Sequence, residues 1–209
     1  MKKSIFLCAV VFFFAVSSAK AQYLELGFSF APSVSSLRGN EIIKKYHNPV
    51  LAYAFGPTVN LHFNNKLALS SGLFLEQKAT GIHPEENAFF RANFDYISLP
   101  LMARYSFGHF VKYYINAGPY FNYLLQETSF FASTINPEDK SSATNQFHRR
   151  DIGLSTGIGL RMPIDCNIFF NAELRHNYGL TNISKLPVVE NGKIQTNSTN
   201  LLIGFTCYL

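Results

Sequence analysis

The sequence predicts an all-β fold, an antiparallel up-and-down barrel of eight strands, and three observations support this prediction. Apolar residues alternate with small or polar residues, most clearly from Leu51 to Leu75, and this two-residue period is that of a β-strand. Eight segments of the chain carry the same period. Short and long connections between these segments alternate strictly, and an even number of strands lets a sheet close without free edges.

The character of the alternation predicts that the barrel spans a membrane. Between Leu51 and Leu75 the polar half of the pattern consists of residues such as Ala54, Thr58 and Asn60. A sheet facing water would carry lysine and glutamate there. An apolar outer face with a small, nearly uncharged inner face is typical of a transmembrane β-barrel, whose wall separates lipid from the lumen.

Eight strands and two kinds of connection follow from this pattern. The predicted strands cover approximately 23–31, 51–63, 67–79, 94–107, 111–126, 148–162, 166–179 and 198–209. Most reach the roughly 9–11 residues that a strand needs to cross a bilayer. The short connections are 64–66, 108–110 and 163–165, and the long ones are 32–50, 80–93, 127–147 and 180–197. This arrangement predicts short periplasmic turns, both termini in the periplasm, and long extracellular loops.

The parity of the strands predicts the geometry of the short turns. Phe63 and Leu67 lie on the apolar face on either side of the first turn. Residues that pair across a hairpin face the same way, so each turn holds an odd number of residues, with Asn65 or Gly108 available for a left-handed conformation.

The apolar face predicts which side chains contact lipid. The outward set includes Leu24, Leu26, Phe28, Phe30, Ile97, Leu99, Leu101, Ile115, Phe121, Ile152, Leu154, Ile158, Leu160, Ile168, Phe170, Leu174, Leu201, Ile203 and Phe205. Tyrosines near the strand ends would form the aromatic girdles in a chain without tryptophan: Tyr23, Tyr53, Tyr105, Tyr113, Tyr123 and Tyr178.

The inward face carries almost all of the strand charges, and these are the candidate site residues. They are Glu25, Glu76, Arg104, Lys112, Asp151, Arg161, Glu173 and Arg175. The interior of an eight-stranded barrel is just wide enough for side chains to fill, and buried charges need partners. The pattern therefore predicts a structural ionic cluster that plugs the lumen. The alternative is a narrow conducting path.

Three prolines fall inside predicted strands, where they lack the backbone donor of a ladder hydrogen bond. Pro57, Pro100 and Pro119 are expected to occupy β-bulges. Two of them belong to a repeated Gly-Pro-x-x-Asn pattern, at 56–60 and 118–122.

Residues 1–21 have the features of a cleaved signal peptide: Lys2 and Lys3, an apolar run, and the Ala19-Lys20-Ala21 cleavage site. The expected mature chain, residues 22–209, forms one barrel domain. Cleavage removes three of the 18 basic residues and none of the 13 acidic ones, which leaves a net charge of +2. A nucleic-acid partner would require a clustered basic stripe, which the sequence lacks.

Three segments resemble the PorT-like outer-membrane β-barrel family. They run from Phe94 to Tyr105 (FDYISLPLMARY), from Tyr114 to Tyr120 (YINAGPY) and from Leu174 to Ile183 (LRHNYGLTNI). The resemblance implies an integral outer-membrane barrel. Some members of that family are tied to protein secretion and most have no assigned activity, so the resemblance carries over the architecture.

Other chemistry has weaker support in the sequence. A rim enzyme would use His148, Asp151 and His176, because a histidine near a carboxylate can act as a general base. No nucleophile motif accompanies them, so we predict no enzyme activity and no catalytic residues. The six histidines have no metal-ligand spacing, so we predict no metal and no cofactor. Cys166 and Cys207 lie near neighbouring strand ends, and two free thiols are favoured over a disulfide.

The sequence thus predicts a non-enzymatic protein of the cell outer membrane, with a structural, binding or secretion-associated role. Its expected partners are outer-membrane lipid, the barrel-assembly machinery and an extracellular or secretion-system protein, with no nucleic acid, and the barrel is expected to be a monomer. Two alternatives stay open: an enzyme that acts on lipid or protein at the extracellular rim, and a soluble secreted barrel that binds lipid inside.

Overall fold

The computed structural model describes residues 23–39, 47–85, 88–133, 139–187 and 192–209. Their strands are β1 Tyr23–Arg38, β2 His47–Asn48, β3 Val50–His62, β4 Leu67–Gly72, β5 Phe74–Glu85, β6 Ala88–Phe107, β7 Lys112–Ser133, β8 Asp139–Ser141, β9 Arg150–Pro163, β10 Ile168–Gly179 and β11 Gln195–Tyr208. One 3-10 turn covers Thr144–Gln146. Within these residues no helix is long and apolar enough to cross a membrane.

The strands form one closed antiparallel ring. Each long strand pairs with its neighbour along the chain, and β1 closes the ring by pairing with β11. Leu73 separates β4 from β5, which together make one staggered strand of the wall, while β2 and β8 are short additions to β5 and β7. The described chain therefore contains eight wall strands, as the sequence predicts.

The two faces of the wall have opposite polarity. Every residue of the predicted outward set is exposed or half-buried, whereas the inner face buries serine, asparagine, threonine and charged side chains. This contradicts the soluble lipid-binding alternative, which requires the apolar set inside. The six predicted girdle tyrosines are also exposed. Tyr23, Tyr105 and Tyr113 lie toward the end with the short turns, and Tyr53, Tyr123 and Tyr178 toward the opposite end, as two girdles require.

Several strands continue beyond their predicted limits. β1 extends to Arg38 instead of residue 31, and β7 extends to Ser133 instead of residue 126. Similarly, β5 ends at Glu85 and β6 begins at Ala88. These extensions lie beyond the apolar belt, where hydrogen bonding continues but the outer face no longer needs apolar residues. The long connections are correspondingly shorter than predicted.

The short turns preserve parity, but two of them differ in register. Phe63 donates its backbone N–H to Leu67 across the first turn, as expected. Phe107 pairs with Tyr113 rather than with Val111, and Pro163 pairs with Phe169. Both shifts are even numbers of residues, so no side chain changes face. Gly108 has a φ of +102°, the left-handed conformation expected for it.

The prolines do not cause the predicted bulges. The register is the same on both sides of Pro57 and of Pro119. Toward one neighbouring strand, two consecutive residue pairs are absent from the ladder at each of these prolines. Leu73, the break between β4 and β5, still donates to the carbonyl of Pro57 at 3.0 Å. A missing donor thus interrupts the ladder without inserting a residue. In the described residues the register shifts between Asp95 and Tyr96 and between Ile82 and Glu85, away from these three prolines.

Candidate functional site

The lumen contains three layers of ion pairs, which follow one another from the short-turn end to the long-loop end. In the first layer Glu25 on β1 is fully buried. Its carboxylate lies 3.0 Å from Nη2 of Arg161 and 2.9 Å from Nε2 of His62, and it accepts a 3.0 Å hydrogen bond from Asn60. The guanidinium of Arg161 also stacks on the ring of Phe169, at 3.5 Å from its centroid.

The second layer surrounds Glu173 on β10. Nε of Arg175 donates to Glu173 at 2.6 Å, and Nη2 of Arg104 lies 3.4 Å from the same carboxylate. The hydroxyl of Tyr114 donates to it at 3.2 Å. Arg104 in turn lies over the ring of Tyr114 and donates to Ser70. Two cations from different strands therefore neutralise this buried carboxylate.

Glu76 on β5 lies in the same region and is held by neutral donors. Its Oε1 accepts hydrogen bonds from Asn177 at 3.2 Å, from Ser198 at 3.1 Å and from Asn200 at 3.5 Å. These donors come from β10 and β11, on the other side of the lumen from β5. The contacts therefore cross the barrel rather than following one strand.

The third layer joins Lys78 on β5 to Asp151 on β9. Nζ of Lys78 lies 3.1 Å from Oδ2 of Asp151 and donates to Thr196 at 2.9 Å. Asp151 also accepts hydrogen bonds from Asn122 at 3.2 Å and from Thr181 at 3.2 Å. A buried ion pair with this many additional donors meets the condition under which burial of charge is tolerated.

The repeated Gly-Pro-x-x-Asn pattern has a common structural role in two of these layers. Asn60 directly faces Glu25 in the β1–β3 register, and Asn122 directly faces Asp151 in the β7–β9 register. In both cases the asparagine amide donates to the facing carboxylate. The glycine of each pattern, Gly56 or Gly118, lies where a side chain would collide with a carbonyl of the adjacent strand.

Glycines on β9 make room for the large side chains that fill the lumen. Gly153 faces Tyr120 and Gly159 faces Tyr114 in the β7–β9 register. A Cβ atom at Gly153 would lie 2.6 Å from the Tyr120 ring, and one at Gly159 would lie 2.5 Å from the Tyr114 ring. The missing side chains of β9 therefore let the rings of β7 lie across the neighbouring strand.

Little empty space remains inside the described barrel. Two small cavities in the lumen have volumes of about 30 Å³ and about 10 Å³. The larger has room for about two water molecules. It is lined by Thr58, Arg104 and Asn171, each of which has a buried polar atom without a protein partner. Ordered water therefore accounts for these atoms better than a continuous pore does.

The long-loop end of the lumen is closed by an apolar cluster. Its buried members are Leu37, Ala92, Phe94, Tyr96, Leu124 and Ile183. Ile183 belongs to the connection after β10, and its carbonyl accepts a 2.7 Å hydrogen bond from the backbone of His148. A backbone bridge between Phe147 and Ser184 holds the same two connections together. The two loops thereby cover the end of the lumen.

Seven of the eight predicted lumen charges are buried, and Lys112 is the exception. It is half-buried at the short-turn end, where it lines a groove of about 440 Å³ with His62 and Tyr208. Lys78 and His62 also belong to these layers, although neither is among the predicted lumen charges. Lys78 has the same parity as Glu76, and His62 the same parity as Asn60, so the alternation alone contained the signal.

The structure does not assemble the rim enzyme considered from the sequence. Asp151 points into the lumen and is fully buried, whereas His176 lies on the outer face and contacts Thr199 at 2.9 Å. His148 is exposed in the loop before β9. Asp151 and His176 are therefore on opposite sides of the wall. In the described residues Cys166 and Cys207 are exposed and free, and no group of three potential metal ligands is found.

Comparison with known proteins supports the same architecture. The sequence pattern of the outer membrane protein beta-barrel domain family matches residues 15–185. Neisserial surface protein A is 12% identical with a TM-score of 0.51, covering 90% of this chain and 99% of that one. A major outer membrane protein from Thermus thermophilus is 10% identical with a TM-score of 0.51, covering 91% and 100%. No curated protein matches the chain. Similarity at this low identity shows the fold alone.

Proposed function

The chain belongs to the outer membrane protein beta-barrel domain family, and we propose that it is a non-conducting, non-enzymatic barrel with a structural or binding role in the outer membrane. The observation that carries the proposal is the filled lumen. Three layers of ion pairs cross it, and the two small cavities found among its described side chains have volumes of about 30 Å³ and about 10 Å³. Barrels leave an aqueous channel at about 16 strands rather than eight.

The surface that remains available for function is the long-loop end. In this proposal the short turns face the periplasm and the long connections face the exterior, as in outer-membrane barrels generally. The hydrogen bonds that join the connections around His148 and Ile183 support a defined surface there. A rigid barrel that presents loops is a common basis for binding, because loops carry recognition while the scaffold positions them.

A planar-bilayer measurement on the full-length protein tests the filled lumen. We expect no steady single-channel current from the wild-type protein. The matched variant removes the central layer by combining Arg104→Ala, Glu173→Ala and Arg175→Ala, and it is expected to conduct if it folds. Far-UV circular dichroism checks that the variant folds. Steady, large currents from the wild-type barrel would contradict the proposal, whatever the variant does.

The partners remain part of the proposal. Outer-membrane lipid surrounds the apolar belt, and the barrel-assembly machinery would insert the chain. An extracellular protein or a secretion-system protein is the proposed ligand of the loops. The secretion-system protein is included because three segments resemble the PorT-like family. Affinity purification of the detergent-extracted protein, followed by mass spectrometry, would identify such a partner. Recovery of the protein alone would favour a purely structural role.

A further inference from the structure

A basic groove lies at the long-loop end, beside the wall. It has a volume of about 570 Å³ and is lined by His148, Arg149, Arg150, Leu180 and Lys193, together with two neutral polar residues. The first three residues lead into β9, and the others belong to the connection between β10 and β11. Three permanent positive charges therefore converge on one depression.

These charges are available for a ligand. The side chains of Arg150 and Lys193 make no hydrogen bond or ion pair with any described residue, and both residues are exposed. Arg149 uses Nη1 to donate to the carbonyls of Leu124 and Leu125, at 3.1 and 3.0 Å. That anchors its guanidinium at the groove and leaves its other N–H groups free of a partner in the described chain.

Two buried acidic side chains at the long-loop end have partners elsewhere. Asp151 is fully buried in the lumen with Lys78, and Glu127 is buried under its bonds to Ser129 and to the backbone of Ala143. Glu190 belongs to the connection that contains Lys193 and lies outside the described residues.

The position of the groove indicates the level of lipid headgroups. Arg150 pairs with Tyr123 in the β7–β9 register, and both side chains are exposed. The next residue on the outer face of β9 is Ile152, followed by Leu154, both exposed in the apolar belt. Leu180, half exposed, lies in the groove itself. The positive charges thus begin where the lipid-facing surface ends.

We propose that this groove binds the phosphate groups of an anionic lipid in the outer leaflet of the membrane. Arg150 and Lys193 pair with the phosphates, Arg149 adds a pre-positioned guanidinium, and Leu180 contacts the apolar part of the same molecule. Arginine donates to phosphate in a bidentate geometry, and basic residues beside a membrane surface attract anionic lipid. The inference rests on the proposed orientation, with the long-loop end facing the exterior.

Binding is measured with the full-length protein in detergent, using a glycolipid with two phosphate groups and the same lipid after enzymatic removal of both. We expect at least about tenfold tighter binding of the phosphorylated lipid. The double variant Arg150→Ala and Lys193→Ala is expected to lose most of that preference. The matched control is Lys66→Ala, which removes an exposed charge in a short turn and should bind as the wild type does.

Four results would overturn the inference. Equal affinity for both lipids would exclude phosphate recognition, and equal losses in the double variant and in Lys66→Ala would exclude the groove. Displacement of the lipid by millimolar inorganic phosphate would show a site for free phosphate, and a preference for a soluble sulfated polysaccharide would show a different ligand class. Because the assay uses purified protein, it is independent of orientation and of conductance, so its failure leaves the proposed barrel function standing.

Discussion

Lys78 and Asp151 meet inside the barrel although 73 positions separate them in the sequence, with Nζ and Oδ2 at 3.1 Å and both side chains almost completely buried. They belong to β5 and β9, which are not neighbours in the ring. Their contact therefore depends on closure of the whole sheet. Removal of one partner of such a pair is strongly destabilising, because it leaves the other charge buried without a counter-charge.

Lys78→Met is expected to lower the free energy of unfolding by about 3–5 kcal/mol, because it leaves the Asp151 carboxylate buried without its cation. The double variant Lys78→Met and Asp151→Asn removes both charges and should recover part of that loss. The chain has no tryptophan, so denaturant unfolding in detergent is followed by far-UV circular dichroism. Equal stability of the single variant and the wild type would show that the pair is not formed.

The asparagines of the repeated pattern provide a second test. Asn122→Ser removes the amide that donates to Asp151 and should cost about 1–3 kcal/mol. Asn122→Asp places a second carboxylate directly opposite the first and should cost more than the serine variant. Asn60→Ser and Asn60→Asp, opposite Glu25, should show the same order in the same unfolding assay. An aspartate variant that is as stable as its serine counterpart would contradict the facing geometry.

Gly157 tests the packing of the lumen. A Cβ atom there would collide with Oδ1 of Asn116 and lie 2.8 Å from a carboxylate oxygen of Glu173. Gly157→Ala should therefore destabilise the barrel by about 1–3 kcal/mol, although alanine is normally preferred to glycine in a strand. Addition of Asn116→Ala should restore part of the loss. The control is Thr156→Val, which alters the exposed outer face of the same strand. A neutral Gly157→Ala would mean that the lumen is loosely packed.

The exposed thiol of Cys166 reports the orientation of the barrel. It lies in the short connection between β9 and β10, so in a Cys207→Ser background a membrane-impermeant maleimide should react with it only after the outer membrane is permeabilised. Asn145→Cys, at an exposed position of the long-loop end, should react in intact cells when Cys166 and Cys207 are replaced by serine. The reverse result would contradict the proposed orientation.

The wild-type protein should migrate identically on a denaturing gel with and without reductant, because both native thiols are free.

Some features of the barrel were predictable because they depend on local geometry. Successive side chains of a strand point to opposite faces, so the alternation from Leu51 to Leu75 identifies the lipid-facing set without knowledge of any partner strand. The three short turns follow from the same parity, and Gly108 has the left-handed conformation that only its lack of a side chain makes easy. The extra length of β1 and β7 is not predicted because the two-residue alternation of apolar residues breaks down along 32–38 and 127–133.

By itself, the sequence determined the wall: its strand number, its two faces and the alternation of short and long connections. Only the tertiary structure decided which inward charges meet, such as Glu25 with Arg161 and Glu173 with Arg104 and Arg175. It also decided that Ile183 closes the lumen and that basic residues from two connections share one groove. The physical reason is that strand period is a property of the local backbone, whereas contacts across a lumen depend on the register of every strand between the two partners.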